Sequence, residues 1–170
     1  MASLRASLRA QTIRGETDLA VLMKNVNTLG YESSTVSKYA TFFYGQYSPQ
    51  SRVLHYVNAG HEPPLVFRAG DLIPLATGGP VVGLLSGACY EQGSIPLFPG
   101  DILVAFTDGI SEAMNPADNE WGVENLVGCV RASNGISAQY LIDRIMASAD
   151  TFAAGAQQHD DMTIVVARIL

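Results

Sequence analysis

At 170 residues, 48% of them hydrophobic and 15% charged, the chain is long enough to bury a substantial core and too apolar to be disordered. Ten basic against sixteen acidic residues give a net charge of −6, which argues against a nucleic-acid footprint and is compatible with carboxylates gathered to hold cations. No apolar run approaches the ~20 residues of a membrane span, and Cys89 and Cys129 form neither a zinc spacing nor a disulfide framework, so a cytoplasmic protein with reduced thiols is expected.

The amino-terminal stretch, residues 2–13, reads as a helix with small Ala and Ser positions around Leu4 and Leu8 that packs on the domain, with Gly15 interrupting it. Its Leu4, Leu8 and Ile13 are too sparse for a secretory apolar region. Thr17 or Asp18 then caps a second helix with Leu19, Leu22, Met23, Val26 and Leu29 at helical spacing and Gly30 as its stop. From Tyr39 the texture is that of strands. Tyr39–Tyr47 and Arg52–Ala59 form a hairpin across the turn at Ser48-Pro49-Gln50-Ser51, followed by strands at Leu65–Arg68, Leu72–Leu75 and Cys89–Leu97, with a Gly-rich loop over 77–87. Ile102–Thr107 is an uncharged run bounded by turn signals and predicts a buried central strand. It ends at Asp108-Gly109, and a carboxylate at the end of a buried strand is costly unless something pairs it. A short helix over Ile110–Ala113 is expected next, then an amphipathic helix carrying Trp121, Val123, Leu126, Val127 and Val130. Another begins at the N-cap Ser137 and stops at Gly155, and a terminal strand runs over Met162–Leu170. Strands in hairpin order with helices clustered outside them predict an α+β fold with a largely antiparallel sheet.

If the strands at 102–107 and 162–170 are antiparallel neighbours, the end of the first lies beside the start of the second. Asp108 and Asp160 then meet at one rim of the sheet, where only a proton or a cation relieves their repulsion. Mg²⁺, Mn²⁺ and Ca²⁺ take oxygen ligands of this kind. Each motif alone is a commonplace turn. Glu112 reads as a helix-surface acid, His61 as a loop-shaping residue in a Pro-rich turn, His55 as structural and His159 as a solvated neighbour of Asp160.

In combination the motifs are more specific. Asn58-Ala59-Gly60-His61-x-Pro63-Pro64, Pro99-Gly100-Asp101, Phe106-Thr107-Asp108-Gly109-x-x-Glu112-Ala113, Asn115-Pro116 with Trp121-Gly122-x-Glu124-x-Leu126, and Asp160-Asp161-Met162-Thr163 occur in that order. Together they resemble the SpoIIE/RsbU-type branch of the metal-dependent (PPM) protein phosphatases over nearly the whole chain.

The resemblance implies an antiparallel β-sandwich flanked by helices and two Mn²⁺ or Mg²⁺ ions at one end. A water held between the ions attacks the phosphorus of a phosphoserine or phosphothreonine, with no catalytic side chain beyond that water. By motif, Asp108 and Asp160 correspond to metal ligands, and Gly109, Asp161 and Thr163 support them. The implied substrate is a phosphorylated regulatory protein of the anti-sigma-factor-antagonist type, under control of a sensor or receiver domain in the parent chain, with no nucleic acid or membrane partner.

The resemblance also implies an amino-terminal Gly-Asp-x-x-Gly element carrying a metal-bridging Asp, yet no Asp precedes Asp18, which sits at a helix start. Residues 1–170 are therefore expected to be a single phosphatase domain lacking its first strands, weak or inactive on its own and prone to pair with a second copy. A non-catalytic interaction module of the same fold is the alternative.

Overall fold

The computed structural model describes residues 2–13, 17–33, 39–133, 135–158 and 160–170. The expected break at Gly15 and the histidine at position 159 lie outside these residues. The chain divides into two compact units, one formed by Met1–Pro63 with Leu75–Leu97 and the other by Pro64–Pro74 with Phe98–Leu170. Both combine helices with a mainly antiparallel sheet, the α+β class the sequence predicts.

In the first unit, helices α1 (Ala2–Ile13) and α2 (Leu19–Ser33) precede strands β1 (Phe42–Ser48) and β2 (Val53–Ala59). The β1–β2 hairpin pairs Phe42 with Ala59 and Ser48 with Val53. Asp18 starts α2 by accepting hydrogen bonds at Oδ1 from the amides of Ala20 and Val21. The stripe Leu19, Leu22, Met23 and Val26 is fully buried against Val57, Ala59, Val82, Ala88 and Tyr90. Burial of each Leu or Met contributes about 1.5–3 kcal/mol.

Two details of α2 depart from expectation. Leu29 is exposed, and the buried position beside the stripe is Asn27, whose side chain accepts from the Gly83 amide and donates to the Leu85 carbonyl, 2.8 Å each. Gly30 does not stop the helix, which continues to Ser33; an internal glycine costs only about 1 kcal/mol relative to alanine. The expected strand Cys89–Leu97 shrinks to β6 (Gly93–Pro96), antiparallel to β2. Within the Gly-rich loop, β5 (Gly78–Gly79) pairs parallel with β2 so closely that a Cβ on Gly78 would lie 1.7 Å from the Asn58 carbonyl oxygen.

The second unit holds a four-stranded antiparallel sheet in the order β4 (Asp71–Pro74), β3 (Leu65–Arg68), β7 (Ile102–Phe106), β8 (Ile164–Arg168). Along β7 residues alternate between buried (Ile102, Val104, Phe106) and half-buried (Leu103, Ala105), as a pleated strand with one core face requires. That face packs with Ile110, Trp121, Leu126, Leu141 and Ile145. Three helices follow β7: α3 (Asp108–Ser111), α4 (Gly122–Arg131) and α5 (Ala138–Ala153). Ser137 caps α5 as predicted, its side chain accepting from the Tyr140 amide at 3.1 Å. No helix among the described residues is long and apolar enough to cross a membrane.

Candidate metal centre at the end of β7

β7 and β8 are antiparallel neighbours, with Phe106 opposite Ile164. The pairing continues one step past the strands, where the Thr107 amide donates to the Thr163 carbonyl at 3.0 Å. This register carries Asp108 and Asp160 to the same end of the sheet. The Thr107 side chain closes the junction. Its hydroxyl donates to the Asp161 carbonyl at 3.0 Å and accepts from the Thr163 amide at 2.9 Å.

Gly109 is buried where the two segments touch. A Cβ there would stand 2.6 Å from the Asp161 carbonyl oxygen and 3.2 Å from that of Asp160. Its backbone conformation is an ordinary helical one, so the glycine is required for close approach and not for an unusual φ.

The two carboxylates adopt matching conformations. Asp108 Oδ1 accepts from the Gly109 amide at 2.9 Å, and Asp160 Oδ1 accepts from the Asp161 amide at 2.7 Å. Each is thereby oriented by the next residue's backbone, and both are exposed. Asp108 begins α3 instead of ending the strand, two residues earlier than the expected helix at Ile110. Its exposure removes the desolvation cost the sequence suggested for it.

That cost falls on the acid at the other end of β7. Asp101 is 2% exposed and receives Arg68 in a forked contact, Nη2 to Oδ2 at 2.6 Å and Nε to Oδ1 at 3.0 Å, while the Phe98 amide donates to Oδ2 at 2.9 Å. Burial pushes the Asp101 carboxyl up, but the Arg68 and Phe98 hydrogen bonds and the Arg68 charge together outweigh it and hold the group below the usual carboxylate range. Arg68 also stacks over the Phe98 ring, 4.5 Å from its centroid. By sequence, Asp101 belongs to the Pro99-Gly100-Asp101 turn signal that precedes the central strand. Nothing in the spacing of Arg68 and Asp101 signals their pairing, which follows from the β3–β7 register.

Thr107 was also overlooked as a supporting residue. Thr163, expected in that role, contributes its main chain, whereas Thr107 supplies the hydroxyl. Asp161 likewise acts through its carbonyl and amide. Glu112 is exposed and lines, with Gly109, Met114, Asp150 and Asp160, a cavity of about 320 Å³ beside the junction. His61 belongs to the first unit, where buried Asn58 holds its backbone by two hydrogen bonds, 2.8 Å from the His61 amide and 2.9 Å to its carbonyl; this agrees with a loop-shaping role.

As donors, Asp108, Asp160 and the neighbouring carbonyls suit a hard divalent cation in kind. Their number covers part of one coordination shell: among the described residues, no three His, Cys, Asp or Glu side chains come together as a ligand set.

The α+β fold is that of the PP2C-type phosphatase domains. The SiaA-PP2C domain of Pseudomonas aeruginosa superposes with a TM-score of 0.86 at 16% identity, over 99% of this chain and 68% of that one. The SpoIIE phosphatase domain from Bacillus subtilis, in a Mn-presoaked structure, gives a TM-score of 0.65 at 21% identity over 98% of this chain and 71% of that one. Within that class the chain belongs to the family described as Stage II sporulation protein E (SpoIIE), which matches residues 1–170.

Among relatives, phosphoserine phosphatase RsbU of Bacillus subtilis is 28% identical over 149 residues, covering 86% of this chain and 44% of RsbU. The chain spans 18–44% of the length of the curated relatives it matches.

Proposed function

We propose that this chain is a phosphatase domain acting on phosphoserine or phosphothreonine of a regulatory protein, with Asp108 and Asp160 holding a divalent cation, Mn²⁺ or Mg²⁺. The observation that carries the reading is the junction itself. Thr107 and Gly109 lock the Asp108 and Asp160 segments together at one sheet end, within a family whose relatives include a phosphoserine phosphatase. A bound divalent cation supplies positive charge to phosphoryl oxygens and a more acidic water. The chain's own part is to orient the two carboxylates, each through a hydrogen bond from the following amide, and to keep the segments from separating.

Two carboxylates cannot complete the shells of two six-coordinate ions, so the 170-residue chain by itself turns over slowly. This feature also favours the second reading, an interaction module of the same fold that docks its partner without hydrolysis. A sensor or receiver domain elsewhere in the parent protein, and a substrate of the anti-sigma-factor-antagonist type, complete the proposal. Self-association through the outer edge of β8, where Val165 is 59% exposed, is a further part of it.

Phosphate release from a phosphoserine protein, with and without Mn²⁺, tests the catalytic part. Slow, Mn²⁺-dependent release that disappears in Asp108→Asn and Asp160→Asn is expected. Release indifferent to Mn²⁺ or to both substitutions contradicts the phosphatase reading, and rapid release by the unmodified chain contradicts the impairment. Sedimentation showing a monomer at high concentration removes self-association.

A further inference from the structure

The cavity beside Asp160 has a composition that a metal site alone does not explain. Its floor is apolar and adaptable, with the half-buried Met114 and Met162 and the methyl of Ala153. Its rim carries Glu112 and Asp150, both exposed, and no Lys or Arg lines it among the described residues. Neither rim carboxylate has a hydrogen-bond or ion-pair partner among the described residues.

Asp150 is also misplaced for stability. It occupies the last turn of α5, where the helix presents partial negative charge, and that turn contains no basic residue. The Ala154 amide caps the Asp150 carbonyl at 3.2 Å, which leaves the carboxylate as added negative charge at the negative end of the helix. An acid at this position is repelled by its own helix and becomes favourable when a cation sits in front of it.

We infer that this cavity is a substrate subsite that takes a lysine or arginine side chain near the phosphorylated residue. The stem lies on the methionines and the charged end meets Glu112, Asp150 and the C-terminal end of α5. A long side chain with an apolar stem and a cationic tip matches both halves of the lining. At about 320 Å³ the cavity is at the small end of ligand-site sizes and suits one side chain. Asp160 faces the same cavity but is assigned to the cation, so Glu112 and Asp150 are the specificity-determining residues. The inference rests on the phosphatase reading for the presence of a phosphorylated segment next to the cavity.

The test is binding of phosphoserine peptides to the full chain with Mg²⁺, which is diamagnetic, followed by the methyl resonances of Met114 and Met162. One lysine is walked through the three positions on either side of the phosphoserine, each peptide paired with its norleucine counterpart of equal stem and no charge. At one or more positions the lysine peptide should shift both methyls and bind about fivefold more tightly than its partner. That preference should fall by about half in Asp150→Asn or Glu112→Gln and vanish when both are changed. Equal affinities at every position, a preference untouched by the double substitution, or no methyl shift with any peptide overturns the inference. Failure of the phosphatase reading has a different signature: serine and phosphoserine peptides bind alike while the lysine preference and its loss in the double variant persist.

Discussion

Replacing Gly109 with alanine probes the junction where both acids are placed. The new methyl carbon would stand 2.6 Å from the Asp161 carbonyl oxygen, 3.0 Å from its carbonyl carbon and 3.2 Å from the Asp160 oxygen, all backbone atoms that no rotamer change can move. To reach a tolerable contact the 160–161 segment must retreat by roughly 0.5–1 Å. Such a retreat stretches the Thr107 contacts to Asp161 and Thr163, which are 3.0 and 2.9 Å long. Overpacking of this kind costs about 1–3 kcal/mol, and a loss near ~2 kcal/mol lowers Tm by about 4–8 °C in a chain of this size.

Gly128 provides the control. It lies inside α4, and a Cβ there meets nothing within 4 Å, so Gly128→Ala should stabilise the chain by about 0.5–1 kcal/mol through helix propensity alone. Thermal unfolding of the two variants beside the parent gives opposite signs on this account. If Gly109→Ala unfolds at the parent's temperature and binds Mn²⁺ as the parent does, the segments are not locked by backbone contact and the reasoning is wrong.

Thr107→Val keeps the β-branched shape and removes both hydroxyl hydrogen bonds, so denaturant titration should show a loss of about 1–2 kcal/mol with the β7–β8 register intact. The depressed Asp101 carboxyl stabilises the folded state fully above its unfolded pKa of about 3.9, and that stability is lost as pH falls through the lower folded value. Asp101→Asn should therefore be less stable at pH 7 and show a shallower decline below about pH 4 than the parent in acid titrations followed by circular dichroism. The Tyr90 hydroxyl is buried with no hydrogen-bond partner among the described residues, and burial pushes its pKa up to about 12. Tyr90→Phe should be neutral or stabilising by up to about 1 kcal/mol in the same titration, and a loss beyond that size would show that the hydroxyl has a partner.

The central strand, the β1–β2 hairpin and the capped helix α5 were legible because each rests on local chemistry: an uncharged run between turns, an aromatic-rich strand followed by a Pro turn and a returning strand, and a serine before a periodic apolar face. The pairing of β7 with β8 was legible only as a condition, since antiparallel adjacency makes Asp108 and Asp160 neighbours and parallel pairing would not. What escaped depends on tertiary register. Cys89–Leu97 carries strand-like residues, yet only Gly93–Pro96 meets β2, and Cys89 itself is exposed. Asn27 reads as a surface residue until the loop at Gly83–Leu85 arrives to receive its amide. Asp101 and Asp108 are equivalent by sequence, an acid at each end of one strand. The fold separates them by placing Arg68 beside the first and leaving the second exposed.

The most direct measurement of the central claim is calorimetric titration of Mn²⁺ into the parent chain, Asp108→Asn and Asp160→Asn, all shown to be folded. If the two acids serve one cation, each substitution weakens binding by about tenfold or more, and the double substitution weakens it little beyond the stronger single one, because both remove the same site. Binding in the variants at the parent's affinity, or two independent losses that add, would contradict a shared site at the end of β7.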